Sequence, residues 1–181
     1  MSTAGLLDPI YDEANWFALY TKPRTEKKLN ALLRKHSVDS YLPLIPTKKK
    51  WSDRIKTIEL PLFTSYLFVK IKYREEALKV LKLPQSVGFV FQQGKPAILD
   101  EEEIEIIKMS VEEFPDRIKV REEEMFQKGR EVKIHTGPFA GRNAIIEKIK
   151  NKVFVVLKVK SIQKTLLIEV HKEDIGFDFE F

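Results

Sequence analysis

The residue types that enzymes use for acid–base, nucleophilic and metal chemistry form no convincing constellation in this sequence. The three histidines are scattered and lack metal-ligand spacing: His36, His135 and His171. Cysteine is absent, and so are the G-x-x-x-x-G-K-[ST] and G-x-G-x-x-G phosphate-binding loops. Glu101 to Glu103 lie at a predicted helix start, where acidic side chains are favoured by the helix dipole. We therefore predict a binding protein rather than an enzyme, with no metal and no cofactor.

Positive charge is the chemistry that the sequence does offer, and it is arranged in blocks. Basic residues outnumber acidic ones by about 11 to 3 between Lys22 and Lys56, and by about 11 to 5 between Gln127 and Ile175. The segment from Asp100 to Glu124 reverses this balance, with about 11 acidic and 4 basic residues. Two basic surfaces indicate contact with a polyanion. The alternative is a solvated lysine surface that aids solubility, and charge alone favours that alternative.

Hydrophobic patterning predicts an α+β domain over residues 15–114. The predicted strands are Trp16 to Thr21, Ser40 to Ile45, Leu60 to Ile71 and Val87 to Gln92. Leu29, Leu32, Leu33 and His36 have helical spacing, so His36 is predicted to lie in the core or at its boundary. Further helices are predicted over Glu75 to Leu83 and from Asp100 to Phe114, where Asp100 and Glu103 resemble a capping box at the helix start. A basic hairpin tip is predicted around Lys48 to Lys50, Trp51 and Arg54. The order β-α-β-β-α-β-α is typical of an antiparallel sheet flanked by helices.

The last third of the chain predicts a small all-β barrel over residues 127–175. Short strands are indicated over Glu131 to His135, Ala144 to Ile149, Val153 to Val159 and Leu166 to His171. The remaining residues are predicted to be a flexible leader at 1–14, a linker at 115–126 and a tail at 176–181. Leader composition excludes a signal peptide, and no apolar run approaches the roughly 18 residues of a membrane span.

One segment, Gly129 to Ile146, has a strand, a tight loop and a second strand. Its loop contains Gly137, Pro138, Phe139 and Gly141, and the chain resembles a KOW motif here, as found in transcription and ribosomal proteins. The sequence departs from that family at Ala144, where the last glycine is usual, which puts the path of the second strand in question. The alternative is an ordinary β-hairpin of a small barrel.

The region before the linker is similar to the N-terminal domain of NusG-type transcription factors. The matching segments, in order, are WFALYTKPRTEKK (Trp16 to Lys28), YLPL (Tyr41 to Leu44), PLFTSYLFV (Pro61 to Val69) and SVGFVFQQGKPAIL (Ser86 to Leu99). A KOW motif after a linker completes the two-domain order of that family. The Lys-Pro-Arg-x-Glu-Lys-Lys and Trp51 to Arg54 elements look more similar to specialised UpxY-type antiterminators than to housekeeping NusG. Thr64-Ser65 departs from relatives that have Pro or Gly before the tyrosine.

The resemblance implies a transcription elongation and antitermination factor whose N-terminal domain docks on the clamp helices of RNA polymerase. The docking residues would be aromatic: Tyr20, Phe63, Tyr66 and Phe68. Their alternative role is plain core packing. Strand alternation predicts that Phe63 and Phe68 point to opposite faces. The basic residues Lys22, Arg24, Lys27 and Lys28 would face DNA of the elongation complex, with a solvated helix face as the alternative.

Further partners follow from the same resemblance. The KOW domain would bind a further partner, and the sequence leaves open a ribosomal protein, a termination factor or neither of these. Its alternating residues favour a barrel over the α-hairpin of some relatives: Val153, Val155, Leu157 and Val159. The main rival function is a ribosome- or RNA-associated KOW protein, and a protein-interaction adaptor is a third class. We expect no membrane partner and, from the absence of cysteine, a cytoplasmic location.

Overall fold

The structure is a computed structural model that describes residues 8–122, 129–149, 152–171, 174 and 176–177. Its helices are α1 (Glu26–Lys35), α2 (Tyr73–Leu81) and α3 (Glu101–Glu113). Its strands are β1 (Ala14–Thr21), β2 (Asp39–Tyr41), β3 (Leu44–Lys50), β4 (Ile55–Pro61), β5 (Tyr66–Lys72), β6 (Ser86–Phe89), β7 (Phe91–Gln92), β8 (Lys95–Pro96), β9 (Ile98–Leu99), β10 (Ile118–Glu122), β11 (Arg130–Thr136), β12 (Asn143–Ile149), β13 (Lys152–Val159), β14 (Lys164–Val170) and β15 (Gly176–Phe177). The chain divides into two compact units, one of Met1–Leu44 with Leu60–Ile104 and one of Ile45–Glu59 with Glu105–Phe181.

A five-stranded antiparallel sheet organises the first unit. Its strands lie in the order β2-β5-β1-β6, and β9 pairs with β1 beyond the end of β6. The central pair, β1 and β5, is in register over seven residues from Ala14 opposite Lys72 to Tyr20 opposite Tyr66. Because side chains alternate along a strand, each of these two strands presents a different set to each face of the sheet.

The apolar core of the first unit lies on one face of this sheet. Phe17 and Leu19 of β1 and Leu67, Val69 and Ile71 of β5 pack there with buried residues of α1 and α2. Four aromatic rings pack within the same layer, with centroid separations between 5.0 and 6.3 Å: Tyr11, Phe17, Tyr73 and Phe89. Burial raises the pKa of the Tyr11 and Tyr73 hydroxyls, so both rings are neutral at physiological pH.

Residues 8–14, predicted as part of a flexible leader, belong to the folded unit, so that prediction is wrong for them. Pro9–Asp12 form a 3₁₀ turn, Tyr11 is 3% exposed, and its hydroxyl donates to the Pro96 carbonyl at 3.3 Å. Asp12 accepts a hydrogen bond from Arg74 at 2.6 Å. A four-residue turn gives little periodic signal, and it is held by distant partners that sequence alone does not reveal. Residues 1–7 lie outside the described residues.

Two predicted strands are each broken in two. Ser40 to Ile45 is divided between β2 and β3, with Leu42 and Pro43 between them. Leu60 to Ile71 is divided between β4 and β5, and Ser65 adopts a φ of 62° just before β5 begins. A residue in this left-handed region cannot continue a strand, so the alternation of side chains restarts at Tyr66.

Helices α1 and α3 were predicted from apolar spacing and from capping chemistry. In α1, Leu29 and Leu33 are fully buried as predicted, but His36 is exposed at the C-cap, so its predicted core or boundary position is wrong. The helix ends at Lys35, and His36 therefore leaves the apolar face that its spacing indicated. The capping box of α3 is confirmed, since Glu103 N–H donates to Asp100 Oδ1 at 2.7 Å and Asp100 N–H to Glu103 Oε2 at 3.3 Å.

The second unit contains a six-stranded antiparallel sheet in the order β10-β14-β13-β12-β11-β15. Its centre is β13 paired with β14, where Val155, Val156, Leu166, Leu167 and Ile168 are all at most 1% exposed. The fold class is thus as predicted: α+β, with an antiparallel sheet flanked by helices and then an all-β domain.

Two segments outside the predicted barrel are part of this sheet. Ile118–Glu122, predicted as linker, forms β10 and pairs with β14, and Gly176–Phe177, predicted as tail, forms β15 and pairs with β11. Ile118 and Val120 alternate with charged residues, a pattern too short to stand out in a charged run. Residues 123–126 and 178–181 of the linker and tail lie outside the described residues.

Two short ribbons complete the architecture. Within the part of the chain that the structure describes, β3 and β4 form a two-stranded sheet of their own, which confirms the predicted basic hairpin. Strands β7 and β8 form the other ribbon, whose loop residues Gln93 and Gly94 both have positive φ values, as a tight two-residue hairpin loop requires. Among the helices of the described residues, none has the length and apolar character to cross a membrane.

Candidate functional site

The sheet face opposite the core carries a row of aromatic side chains, which we call the aromatic face. Trp16, Ala18 and Tyr20 alternate along β1 onto this side, because the intervening Phe17 and Leu19 belong to the core. Tyr66 and Phe68 of β5 lie opposite Tyr20 and Ala18. The aromatic face is therefore defined by Trp16, Tyr20, Tyr66 and Phe68.

Two of the predicted aromatic residues form an accessible pair. The rings of Tyr20 and Tyr66 are 4.4 Å apart between centroids, and the Tyr66 hydroxyl donates to the Tyr20 hydroxyl at 2.7 Å. Tyr20 is 37% exposed and Tyr66 is half-buried. The pair offers ring surface together with hydroxyl groups, the combination for which tyrosine is enriched in protein interfaces.

The other two predicted aromatic residues are buried in this structure. Phe63 is 2% exposed and Phe68 is fully buried, and their rings meet edge to face at 5.6 Å. The prediction that they point to opposite faces is wrong, because Phe63 precedes the break at Ser65 and is not in register with β5. Contact of Phe63 and Phe68 with a partner stays a prediction, whereas Tyr20 and Tyr66 are accessible without rearrangement.

A polar cluster that sequence reasoning missed lies at the other end of the aromatic face. The Trp16 indole N–H donates to Glu101 Oε2 at 3.2 Å, and the Lys70 ammonium donates to Glu101 Oε1. The same ammonium lies 5.9 Å from the centroid of the Trp16 ring. Strand alternation places Trp16 on the same face as Tyr20, and Lys70 on the same face as Phe68, so the sequence could have indicated both residues. Glu101 reaches this face only through the tertiary fold.

The four predicted basic residues are brought together on one exposed segment, which we call the basic turn. Lys22 and Arg24 lie in the turn between β1 and α1, and Lys27 and Lys28 lie in the first helical turn. The turn is held by two hydroxyls, those of Thr21 and Thr25, which each donate to the Lys22 carbonyl at 2.7 Å. Its cations lie beside the positive end of α1, which increases the attraction for an anion.

A buried carboxylate ties the basic turn to the loop before β5. Glu26, at the start of α1, is 5% exposed and accepts a hydrogen bond from Ser65 N–H at 2.8 Å. Thr21 N–H donates to the Ser65 carbonyl at 2.9 Å. Ser65 is also the residue at which the chain enters β5 and positions Tyr66, so the basic turn and the tyrosine pair are fixed to the same backbone anchor.

In the second unit, the predicted loop residues build the connection between β11 and β12. Gly137 and Gly141 have φ values of 87° and 84°, and Gly141 N–H donates to the Ile134 carbonyl at 2.7 Å. Phe139 is fully buried and stacks on Phe114 at 5.6 Å. These glycines, with Pro138 between them, shape the loop so that a loop side chain reaches the core.

The structure also explains Gly129 and Ala144, the two other positions at which the KOW motif usually has glycine. A Cβ on Gly129 would overlap the Cγ2 methyl of Ile145, so glycine allows a close approach there. Ala144 lies within β12 opposite Val132 and has no positive φ, so the strand path questioned at that position is regular. No group of three or more His, Asp or Glu side chains that could hold a metal is found within the described ranges.

The first unit has an α+β fold whose sheet carries an aromatic face beside a basic turn, and the second unit contains an antiparallel sheet with a Gly-Pro-Phe loop. These features define the class of two-domain proteins in which an α+β domain is followed by a β-rich domain. Comparison with known proteins agrees with this. A family model described as "Transcription termination factor nusG" matches residues 14–108, and a KOW motif model matches residues 128–160. The chain belongs to the NusG family.

Curated relatives support the same family at low identity. The chain is 26% identical over 144 residues to the "Transcription termination/antitermination protein NusG" of Campylobacter jejuni, covering 73% of this chain and 78% of that protein. The Rickettsia bellii protein of the same name is 22% identical over 171 residues, which cover 88% of this chain and 87% of that protein. A solved structure described as "Domain interaction in Thermotoga maritima NusG" has the same fold, with a TM-score of 0.55 at 21% identity over 91% of this chain and 97% of that chain. The similarity to the UpxY branch stays a prediction.

Proposed function

We propose that this chain is a transcription elongation and antitermination factor that binds the clamp helices of RNA polymerase through its aromatic face. The observation that carries this proposal is the accessible Tyr20–Tyr66 pair on a rigid sheet, with ring centroids 4.4 Å apart. Aromatic anchors supply most of the binding free energy of protein interfaces, and a shallow aromatic surface fits the apolar ridge of a helical hairpin. Curated relatives named transcription termination/antitermination proteins support the same assignment.

Polar groups at the end of the aromatic face suit an interface rim. Lys70 and Glu101 are partly exposed, with side-chain exposures of 34% and 63%. Interface cores are depleted in charge, and their rims are polar and solvent-accessible. The tyrosine pair would therefore form the centre of the contact, with Trp16, Lys70 and Glu101 at one margin.

The basic turn would contact DNA of the elongation complex while the aromatic face holds the polymerase. All four cations are exposed on the segment that is anchored to Ser65 beside the tyrosine pair. Phosphate attraction requires only positive charge within reach, so the contact needs no base reading. The KOW unit would bind a further protein, either a ribosomal protein or a termination factor.

The direct test compares binding of the full chain and its variants to purified core RNA polymerase. The double variant Tyr20→Ala/Tyr66→Ala removes the accessible pair from the aromatic face and leaves its buried residues, Trp16 and Phe68, unchanged. We expect roughly 30-fold weaker binding or more, since an interface hot spot contributes about 2 kcal/mol or more. Circular dichroism verifies that the variant is folded.

The matched control is Phe91→Ala, because Phe91 is a 53% exposed aromatic residue on the separate β7–β8 ribbon. It should bind polymerase like the wild type. If the tyrosine variant is folded and binds as tightly as the control, the aromatic face is not the docking surface. If the wild type binds ribosomes and not polymerase, the rival function as a ribosome-associated KOW protein replaces this proposal.

A further inference from the structure

The β3–β4 ribbon has a sharply defined tip. Trp51 N–H donates to the Arg54 carbonyl at 2.8 Å, so the loop between them contains only Ser52 and Asp53. Residues that flank a two-residue loop lie directly opposite each other, with Cβ atoms about 5 Å apart and side chains on the same face. Trp51 and Arg54 are therefore neighbours at the end of the ribbon.

Strand alternation extends this pair into a four-residue surface, which we call the Trp51 face. Lys49 lies two residues before Trp51, and Lys56 lies two residues after Arg54, so both share the face. The other face carries Lys48, Lys50, Ile55, Thr57 and Glu59 by the same rule. The four residues of the Trp51 face thus supply one indole ring and three cations, and none of them carries a carboxylate.

The whole end of the ribbon is accessible. Every residue from 48 to 57 is exposed, and Trp51 is 55% exposed. The other tryptophan, Trp16, is 5% exposed, so Trp51 differs from it in presenting a ring to solvent. Exposed indole among cations is the composition of surfaces that bind unpaired nucleic acid, where bases stack on aromatic rings and basic residues follow the phosphates.

We propose that the Trp51 face is a nucleic-acid-binding surface that takes a single strand. Trp51 stacks on one unpaired base, and Lys49, Arg54 and Lys56 contact the phosphates that flank it. The base must be unpaired, because both faces of a base inside a duplex are covered by its stacked neighbours. Stacking and phosphate attraction are available from either DNA or RNA, so the chemistry is that of a single strand of either kind.

The Trp51 face shares no residue with the basic turn, and its proposed binding of a single strand does not depend on polymerase. The basic turn lacks an aromatic side chain among its four cations, so it attracts phosphates of a duplex or a single strand alike. The Trp51 face adds a preference for unpaired bases. Such a preference can be measured with free oligonucleotides in the absence of polymerase.

The experiment measures binding of the full chain to labelled oligothymidylate, oligouridylate and a DNA duplex by fluorescence anisotropy at several salt concentrations. Trp51→Ala should weaken single-strand binding about tenfold, the usual effect of removing a base–aromatic stack. Phe91→Ala removes an equally exposed aromatic residue from the other ribbon and should leave binding unchanged. Duplex binding, which involves the basic turn, should be insensitive to Trp51→Ala.

A second pair of variants tests the face rather than the charge. Lys49→Ala/Lys56→Ala should lower the salt slope for single strands by about 1.4, since each phosphate contact contributes about 0.7. Lys48→Ala/Lys50→Ala removes the same charge from the opposite face of the same ribbon. This variant should lower the salt slope for single strands clearly less than Lys49→Ala/Lys56→Ala does. Equal effects of the two lysine pairs, or equal affinities of Trp51→Ala and Phe91→Ala for single strands, would overturn the proposal. Comparison of oligothymidylate with oligouridylate then identifies whether the strand is DNA or RNA.

Discussion

Phe139 is a loop residue whose ring belongs to the core of the second unit. It is fully buried and stacks on Phe114 with an interplanar angle of 21°. Phe139→Ala should lower the free energy of unfolding by about 3–5 kcal/mol, because it removes apolar contacts and leaves a cavity. Denaturant unfolding of the full chain measures the effect. The exposed Phe91→Ala should change stability by less than about 0.5 kcal/mol, and an equally small effect at Phe139 would show that its ring does not support the fold.

The basic turn gives a second prediction at the scale of single residues. Lys22→Ala/Arg24→Ala should lower the slope of log affinity against log salt by about 1–2 for assembled elongation complexes, since each lost phosphate contact removes about one unit. Affinity for core polymerase without nucleic acid should hardly change.

The matched control for this charge loss is Lys82→Ala/Lys95→Ala, two exposed lysines of the first unit outside the basic turn. Its salt slope should equal that of the wild type. If the two double variants show the same slope on elongation complexes, the basic turn is a solvated surface.

The individual roles of the aromatic residues were only partly predictable from sequence. Tyr20 and Tyr66 were both predicted as docking residues, and the structure pairs them in register in β1 and β5. Phe63 was misjudged because alternation was counted through Ser65, whose φ of 62° interrupts the strand. No sequence rule identifies a serine in the left-handed region, which non-glycine residues seldom adopt. The Glu101 contacts with Trp16 and Lys70 join residues far apart in the chain and need the folded sheet.

At the scale of elements, a bidentate ion pair joins Arg117, which directly precedes β10, to Asp174, which follows β14. Arg117 donates to both carboxylate oxygens of Asp174, at 2.7 and 3.2 Å, and His171 N–H adds a third hydrogen bond at 2.7 Å. The hydrogen bonds from Arg117 lower the pKa of the Asp174 carboxyl below its ordinary value of 3.8, with smaller contributions from His171.

The sign of the pH dependence follows from this lowered pKa. The folded state binds the Asp174 proton less tightly than the unfolded state, so the ion pair stabilises the fold above about pH 4. That stabilisation is lost as the pH falls through the folded pKa. Asp174→Asn should be less stable than wild type at neutral pH, and the difference should shrink below pH 4 in denaturant titrations. A difference that stays constant down to acidic pH would contradict this role for the carboxylate.

Elements with local chemistry were predictable, and elements held by distant partners were not. Asp100 and Glu103 showed the start of α3 because a capping box is a contact within four residues. The 3₁₀ turn at Pro9–Asp12 and the strands β10 and β15 are short, and each is held by partners from remote segments. A few residues give too little periodicity to be recognised, whatever their stability in the fold.

At the scale of the whole molecule, the order of motifs carried the family prediction although no single motif was decisive. The NusG and KOW matches occupy residues 14–108 and 128–160, in the order that the sequence predicted. The division into compact units differs from the predicted boundaries, since Ile45–Glu59 and the residues from Glu105 onward cluster with the second unit. Sequence order gives the succession of elements, whereas the grouping of contacts depends on tertiary packing. Domain limits at residues 114 and 127 therefore stay a proposal.

The central claim is that the aromatic face docks on RNA polymerase, and site-specific crosslinking tests it most directly. A photoreactive amino acid replaces Tyr20, which is 37% exposed, in the full chain, and a matched variant carries it at Phe91, which is 53% exposed on the separate ribbon. Both are irradiated in an extract that contains transcribing polymerase and ribosomes, and the crosslinked peptides are identified by mass spectrometry.

The account predicts that the Tyr20 position crosslinks to the polymerase clamp helices and that the Phe91 position does not, because only the aromatic face is proposed to cover that helical hairpin. A crosslink from Tyr20 to a ribosomal protein, or an identical pattern from both positions, would contradict the account.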